Sequence, residues 1–407
     1  MLSRRILSAF LLLSALATVV GTFLLWPRGE PNVSPNFAQT FSLGQEQVQG
    51  EVVAVTPGAC NSDAAGSTFS TSPKVSPGAG TECTWNIVEI APETRTLIIN
   101  HSQPGEPDLQ VGDSIKMLVG SAEDGSTRYA FADYERTSVL LMWGALIAAA
   151  LVVFALWRGV RALIGLTVTL AIVAVFVLPA IVRGTSPLAI AIVGGALILT
   201  VAVPLVHGLT WKAWSALGGT LMALGVAAVL AHLAIDSTHL RGLADEDNLQ
   251  LLLYLPDVSI TGLMLCGFII GALGVMNDVT IAQASTVAEL AERDPHATPT
   301  ELFRGAMSVG RDHISSMVYT LVLTYTGASL PMLLLLSIAD RPLGQTLTSD
   351  IMATELLRSG IGALALTLAV PLATALAAFT VPERTSRTDA PSAPHPKTAR
   401  GRHRSRG

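Results

Sequence analysis

Eight stretches of roughly 20 residues, uncharged but for Arg358 at the start of the last and each long enough to cross about 30 Å of hydrocarbon as a helix, constrain this chain more than any other feature. They fall at 6–26, 138–157, 162–182, 188–206, 213–235, 258–276, 314–338 and 356–379. Half of the 407 residues are apolar and 14% are charged, a membrane composition rather than that of a soluble enzyme. The expected fold class is mainly α, with about eight transmembrane helices in a lipid bilayer.

Orientation follows from lysine and arginine. Arg4 and Arg5 precede the first span, Arg158 and Arg161 join the second to the third, and Lys212 opens the fifth. Seven more cations lie in residues 382–407, against Glu383 and Asp389. Eight spans with both termini cytoplasmic put all of these on the inside. The loop at 236–257, with Asp236, Asp245, Glu246, Asp247 and Asp257 against Arg241, then lies outside. The tail, net positive in a chain of net charge −5, reads as a disordered, topology-setting segment that touches anionic headgroups. No folded motif or aromatic interleaving supports nucleic-acid binding.

Four regions result. Residues 1–26 are a transmembrane anchor; the run from Ser14 through Val19 and Val20 to Trp26 is too long for a cleaved signal peptide. Residues 27–137 form an extracytoplasmic β domain, 138–381 the seven-helix membrane domain, and 382–407 the basic tail. In the β domain, strand-like pieces recur at 47–55, 83–90, 95–100, 114–119 and 129–134, with a turn at 111–113. They fit a small barrel or a sandwich, the OB type included, and the pattern does not choose. Cys60 and Cys83 bracket a Gly/Ser/Thr/Pro-rich loop at 61–82, which points to a disulfide outside the cytoplasm. No metal or cofactor is expected, because no His or second cysteine pair completes a four-ligand set.

The polar core of the membrane domain is a helical hairpin at 276–312. Gly267, Gly271 and Gly274 line a helix that runs into Asn277 and Asp278, with Ala282, Ser285 and Glu289 continuing the stripe. After Asp294-Pro295, Thr298-Pro299-Thr300-Glu301 has the form of a capping box. The second helix carries Arg304, Gly305, Ser308, Arg311 and Asp312. If the two stripes face each other, Asp278–Arg311 or Asp312–Arg304 pairs offset the desolvation of each charge. Farther on, Thr320, Thr324 and Tyr325 either bond between helices or line a hydrated path. His232 and Asp236, and Glu355 and Arg358, are two further charged pairs at helical spacing.

The blocks 267–290, 301–331 and 354–378 are similar to those of the YibE/F-like membrane proteins, and residues 111–113 and 129–136 fit the outer domain of YibE-like members. The resemblance implies a multi-pass protein of the bacterial plasma membrane with an extracytoplasmic β domain. Its characteristic polar and glycine positions are Asp278, Glu289, Gly310, Arg311, Asp312, Gly327 and Glu355. Two positions depart from it: Asn277 stands where an apolar residue is expected, and Tyr319 where many relatives carry asparagine.

Two functions of different class fit. A permease for a small solute or ion would use Asp278 and Asp312 for a cation or proton, with Arg311 holding them or an anionic substrate. Gly267, Gly271, Gly274, Gly310 and Gly327 would then be helix-packing positions. Alternatively, the chain is a non-transporting scaffold, sensor or assembly factor whose outer β domain binds a partner. Either version accommodates a homo-oligomer or a second membrane subunit of the same family. Enzymatic chemistry is not expected, since HExxH, GxSxG and Walker-A patterns do not occur.

Overall fold

The computed structural model describes residues 2–37, 45–71, 83–122, 125–243, 246–339 and 341–380. The basic tail, Asp245 and the 72–82 part of the expected loop lie outside the described residues.

Among the described residues, seven helices are long and apolar enough to cross a membrane, eight when one bent pair counts as a single span. They are Leu2–Leu24, Thr137–Ala155, Trp157–Val182, Pro187–His207, Trp211–Thr238, Ile260–Arg293 and Asp350–Thr380, with Pro299–Ala328 and Leu330–Ser337 as the bent pair. In chain order these are the first to eighth spans below. The seventh, expected at 314–338, turns by 70° at Ser329. Pro331 is the cause: it supplies no N–H, and its ring clashes with the carbonyl four residues back.

Two compact units make up the chain. One holds the first, fourth, fifth, seventh and eighth spans and most of the sixth. Its tightest seam joins the fifth span to the eighth, where Ala365, Ala369, Ala373 and Ala377 recur every fourth residue, each at most 3% exposed. Such a ladder of small side chains lets two backbones approach where apolar burial supplies no drive, lipid tails being as apolar as leucine. At Gly219 the approach is closest: a β-carbon there would lie 2.7 Å from the Ala373 α-carbon. The first span belongs to the same bundle. Leu7 is 2% exposed beside Gly218, and Ser3 Oγ donates to the Phe379 carbonyl at 2.6 Å.

The other unit holds a six-stranded antiparallel sheet, the second and third spans, and the segment 241–263. Strands β1 (Gln47–Gly58), β2 (Thr68–Phe69), β3 (Cys83–Ala91), β4 (Thr94–Asn100), β5 (Ser114–Ser121) and β6 (Thr127–Tyr134) pair in the order β2-β4-β3-β1-β5-β6. Val52, Val88, Ile115 and Met117, all 0% exposed, fill the inner face. The sheet curls into a half-barrel, tied across its mouth by Gly66. Its N–H donates to the Leu97 carbonyl on β4 at 2.8 Å, and its carbonyl accepts from Tyr129 on β6 at 2.9 Å. Only glycine suits that position, at φ +72° with the Tyr129 carbonyl 2.7 Å from where a β-carbon would stand. The choice between barrel and sandwich is thus resolved, with β2 added to the five expected strands. Cys83 pairs in register with Gly58, which brings it within 5.1 Å of the Cys60 α-carbon, and the expected disulfide forms.

Candidate functional site

The hairpin forms as the capping signal requires. Thr298 Oγ1 accepts from the Glu301 N–H at 3.3 Å, and Glu301 Oε2 accepts from the Thr298 N–H at 2.8 Å. What meets across the hairpin is apolar, however. Ala284 and Val287 of the sixth span pack with Leu302 and Ala306 of the seventh, joined by Ala216, Ala377 and Ala378. The charged stripes do not face each other. Asp278, Glu289, Arg304, Arg311 and Asp312 are all exposed, and neither the Asp278–Arg311 nor the Asp312–Arg304 ion pair occurs. Burying alanine, valine and leucine costs no charge desolvation, so the helices rotate to put them inside. Glu289 pairs within its own helix, with Arg293 at 3.0 Å. His232 and Asp236 are exposed and form no ion pair with each other.

Behind the hairpin lies a polar seam that the sequence reading passed over. Thr220 and Thr280 share a hydrogen bond of 2.6 Å between the fifth and sixth spans, and Thr374 Oγ1 donates to Gln283 Oε1 at 3.0 Å between the eighth and sixth. Ser215 and Thr380 do the same at 2.6 Å between the fifth and eighth. Thr220, Thr280, Gln283 and Thr374 are 0% exposed, so this seam is dry and serves as interhelical glue. Gly310 fits against it: a β-carbon there would lie 3.1 Å from both amide atoms of Gln283. Gln283 Nε2 and Asn277 Oδ1 are buried without partners. The available signal was the placement of Thr280 and Gln283 three residues apart on the buried side of a helix whose other side carries Asp278.

The open side has a different character. Gly267, Gly271, Gly274 and Asp278 form one exposed stripe along the sixth span. Gly271 is covered by the Tyr325 hydroxyl, so the seventh span borders this stripe. Gly267, Gly274 and Gly327 meet nothing within 4 Å, so of the five glycines assigned to packing only Gly271 and Gly310 sit at a close approach inside this chain. Along the seventh span, Arg304, Ser308, Arg311, Asp312, Ser315, Ser316, Tyr319, Thr320 and Thr324 are exposed, Tyr319 by 70%. Thr320 and Thr324 donate to carbonyls of their own helix, at 3.1 and 2.7 Å, so both hydroxyl oxygens keep accepting capacity. Tyr325 departs from them, turning inward over Gly271.

Where the seventh span bends, a cavity of about 290 Å³ is lined by Tyr325, Thr326, Ser329, Glu355 and Ser359 among others. Glu355 Oε1 accepts from Arg358 at 2.8 Å, whereas Oε2 is buried without a partner. The Arg358 guanidinium lies over the rings of Phe268, at 5.5 Å, and Tyr325, at 6.0 Å, and so ties three spans together. In the half-barrel, a groove of about 670 Å³ runs past Asn61, His101, Glu106 and Arg128.

Comparison with known proteins gives one match. The model of a family described as YibE/F-like protein fits residues 143–383, more than half of the chain. No curated protein and no solved structure matches.

Proposed function

The chain belongs to the YibE/F-like family, and from the open polar face of its sixth and seventh spans we propose that it is a permease for a small solute or ion. The route starts at the cavity beside Glu355 on the extracytoplasmic side, passes Tyr325 and the glycine stripe, and reaches Asp278 and the polar positions of the seventh span. The observation that carries this reading is the polarity of a face that, Gly271 under Tyr325 apart, is left open among the described residues. Asp278 stands two residues past the apolar stretch 258–276, and a carboxylate at that end of a span needs water or a partner. The bare surfaces of Gly267 and Gly274 leave room for either. Asp278 would carry the cargo cation or proton. Glu355, with one free carboxylate oxygen, would receive it at the outer end.

The test is flux through purified protein in liposomes, alongside its melting temperature against monovalent and divalent cations, anions and small metabolites. A cargo held at 100 times its dissociation constant should stabilise the fold by about 2.7 kcal/mol. Asp278→Asn should remove both flux and stabilisation while leaving the unliganded melting temperature unchanged. Absence of flux and of stabilisation across the panel refutes the permease. The groove of the half-barrel favours the scaffold reading instead, and a soluble partner captured at residues 27–137 would be its positive sign.

A further inference from the structure

We propose that the open polar face of the sixth and seventh spans is the contact surface for a second copy of this chain, the two related by a twofold axis along the membrane normal. The inference stands on the face itself and does not need transport.

Three properties of the face lead to a second copy rather than to lipid or water alone. First, its breadth: Arg304, Ser308, Arg311, Asp312, Ser315 and Tyr319 extend over more than four helical turns of exposed positions. Arg304, Ser308, Arg311 and Asp312 precede the apolar stretch 314–338; where the face enters that stretch, hydrocarbon offers the exposed Tyr319 hydroxyl no partner, so there the face is stable only against protein or water. Second, the neighbouring stripe is bare. Gly267 and Gly274 have no neighbour within 4 Å of a would-be β-carbon, although small residues along a span are what closely packed membrane helices require.

Third, the charges are of both signs, adjacent, and unpaired among the described residues. Arg311 and Asp312 occupy nearly the same height on one helix, and neither forms a salt bridge here. A twofold axis along the membrane normal brings each residue opposite positions of equal height in the partner, as an isologous interface requires. Arg311 of each copy thereby meets Asp312 of the other, and the two pairs form reciprocally. A partner of one charge sign would satisfy Asp312 or Arg311 and repel the other.

The experiment uses the full chain in membranes, with buried Cys266 replaced by alanine. Tyr319→Cys is oxidised with copper phenanthroline, and Leu146→Cys on the exposed aliphatic second span is the control. The proposal expects a band of twice the chain mass from position 319 and none from 146. Arg311→Asp and Asp312→Arg should each lower the crosslinked fraction by about tenfold, as like charges come into apposition. The swap of both together should restore it, while melting temperatures stay level. Failure of position 319 to crosslink, with a monomer mass in mild detergent, overturns the proposal and leaves the face to water. A crosslinked band of any mass other than twice the chain overturns it too, because a different subunit then covers the face. Flux measured on the same samples reads the permease reading separately: dimers without flux defeat that reading alone, and flux from monomers defeats this one alone.

Discussion

The second and seventh spans both have broad exposed faces, and the chemistry of those faces differs. No residue of the second span, Thr137–Ala155, is buried, and its exposed side chains include Leu140 at 64%, Leu146 at 57% and Phe154 at 89%. These are hydrocarbon groups and lipid solvates them. The seventh span is open over a comparable length, but from Arg304 to Thr324 chiefly with arginine, aspartate, serine, threonine and tyrosine, with Val309, Val322 and Leu323 among them, and it becomes aliphatic only past its bend, at Leu330, Leu334 and Leu335. In a water-soluble protein the seventh span would look ordinary and the second would look like a docking site. With the bilayer as solvent the reading inverts, because lipid cannot replace a lost hydrogen bond. Exposure by itself is therefore uninformative here, and the chemistry of the exposed groups separates lipid contact from function.

A charge placed on each face puts that contrast to its severest test. Leu146→Asp should cost about 3 kcal/mol of insertion free energy, near the cost of a carboxylate at mid-membrane. Thr324→Asp on the seventh span should cost less than half as much, since that face is expected to meet water or protein. Glycosylation mapping of the two variants gives both numbers. Equal penalties would mean that the seventh span is bathed in lipid after all, and the comparison would collapse.

A smaller effect separates the dry seam from the open face. Thr374→Val removes the one donor that reaches Gln283 Oε1 among the described residues, and the amide nitrogen there is already unpartnered. The loss should be about 1 kcal/mol, within the range for interhelical hydrogen bonds in membranes. Thr320→Val removes a hydroxyl bonded only to its own helix, and stability should change by less than about 0.5 kcal/mol. Melting in detergent with the two variants side by side checks this. A larger loss at 320 than at 374 would show that the open face is glue and the seam is not.

How far the sequence anticipated this molecule depends on which physical signal each part emits. The spans emit the strongest one: uninterrupted apolar length places all eight within a few residues of their observed starts, apart from the helical extensions that carry the hairpin. The capping box at Thr298 and Glu301 was legible because its two hydrogen bonds are local. Rotation about a helix axis was not. Asp278, Asn277 and Thr280 lie within four positions, and only packing reveals that Thr280 is dry while Asp278 is open. Charge alternation on two neighbouring helices invited the expectation of mutual pairing. The alanines at 284 and 306 and their neighbours won that contact because they desolvate at no electrostatic cost. The 70° bend at Ser329 was foreshadowed by Pro331, but the cavity it opens beside Glu355 requires the eighth span to be in place.

The smallest predicted effect concerns the entry to the second span, where a polar junction hands over to the aliphatic face. Glu135 stands two residues before that helix, and its carboxylate accepts from the Thr137 N–H at 2.8 Å, from Lys116 Nζ at 3.1 Å and from Gln49 Nε2 at 3.0 Å. Thr137, through its side chain and its backbone N–H, and then Lys116, hold the Glu135 pKa down to about 2, from an ordinary 4.5. A carboxylate lowered in the folded state adds stability that is fully present above its unfolded value. That stability is lost as pH falls from about 4.5 toward 2. Glu135→Gln keeps the shape and removes the titration, so its melting temperature should be lower than that of the parent at pH 7 and converge with it at pH 2. The seventh span begins instead with the Thr298–Glu301 box, so Glu301→Gln should leave the difference at the second span untouched. Parallel melting curves for parent and Glu135→Gln across this pH range would show that the junction does not hold the aliphatic span by charge, leaving its entry angle to the sheet alone.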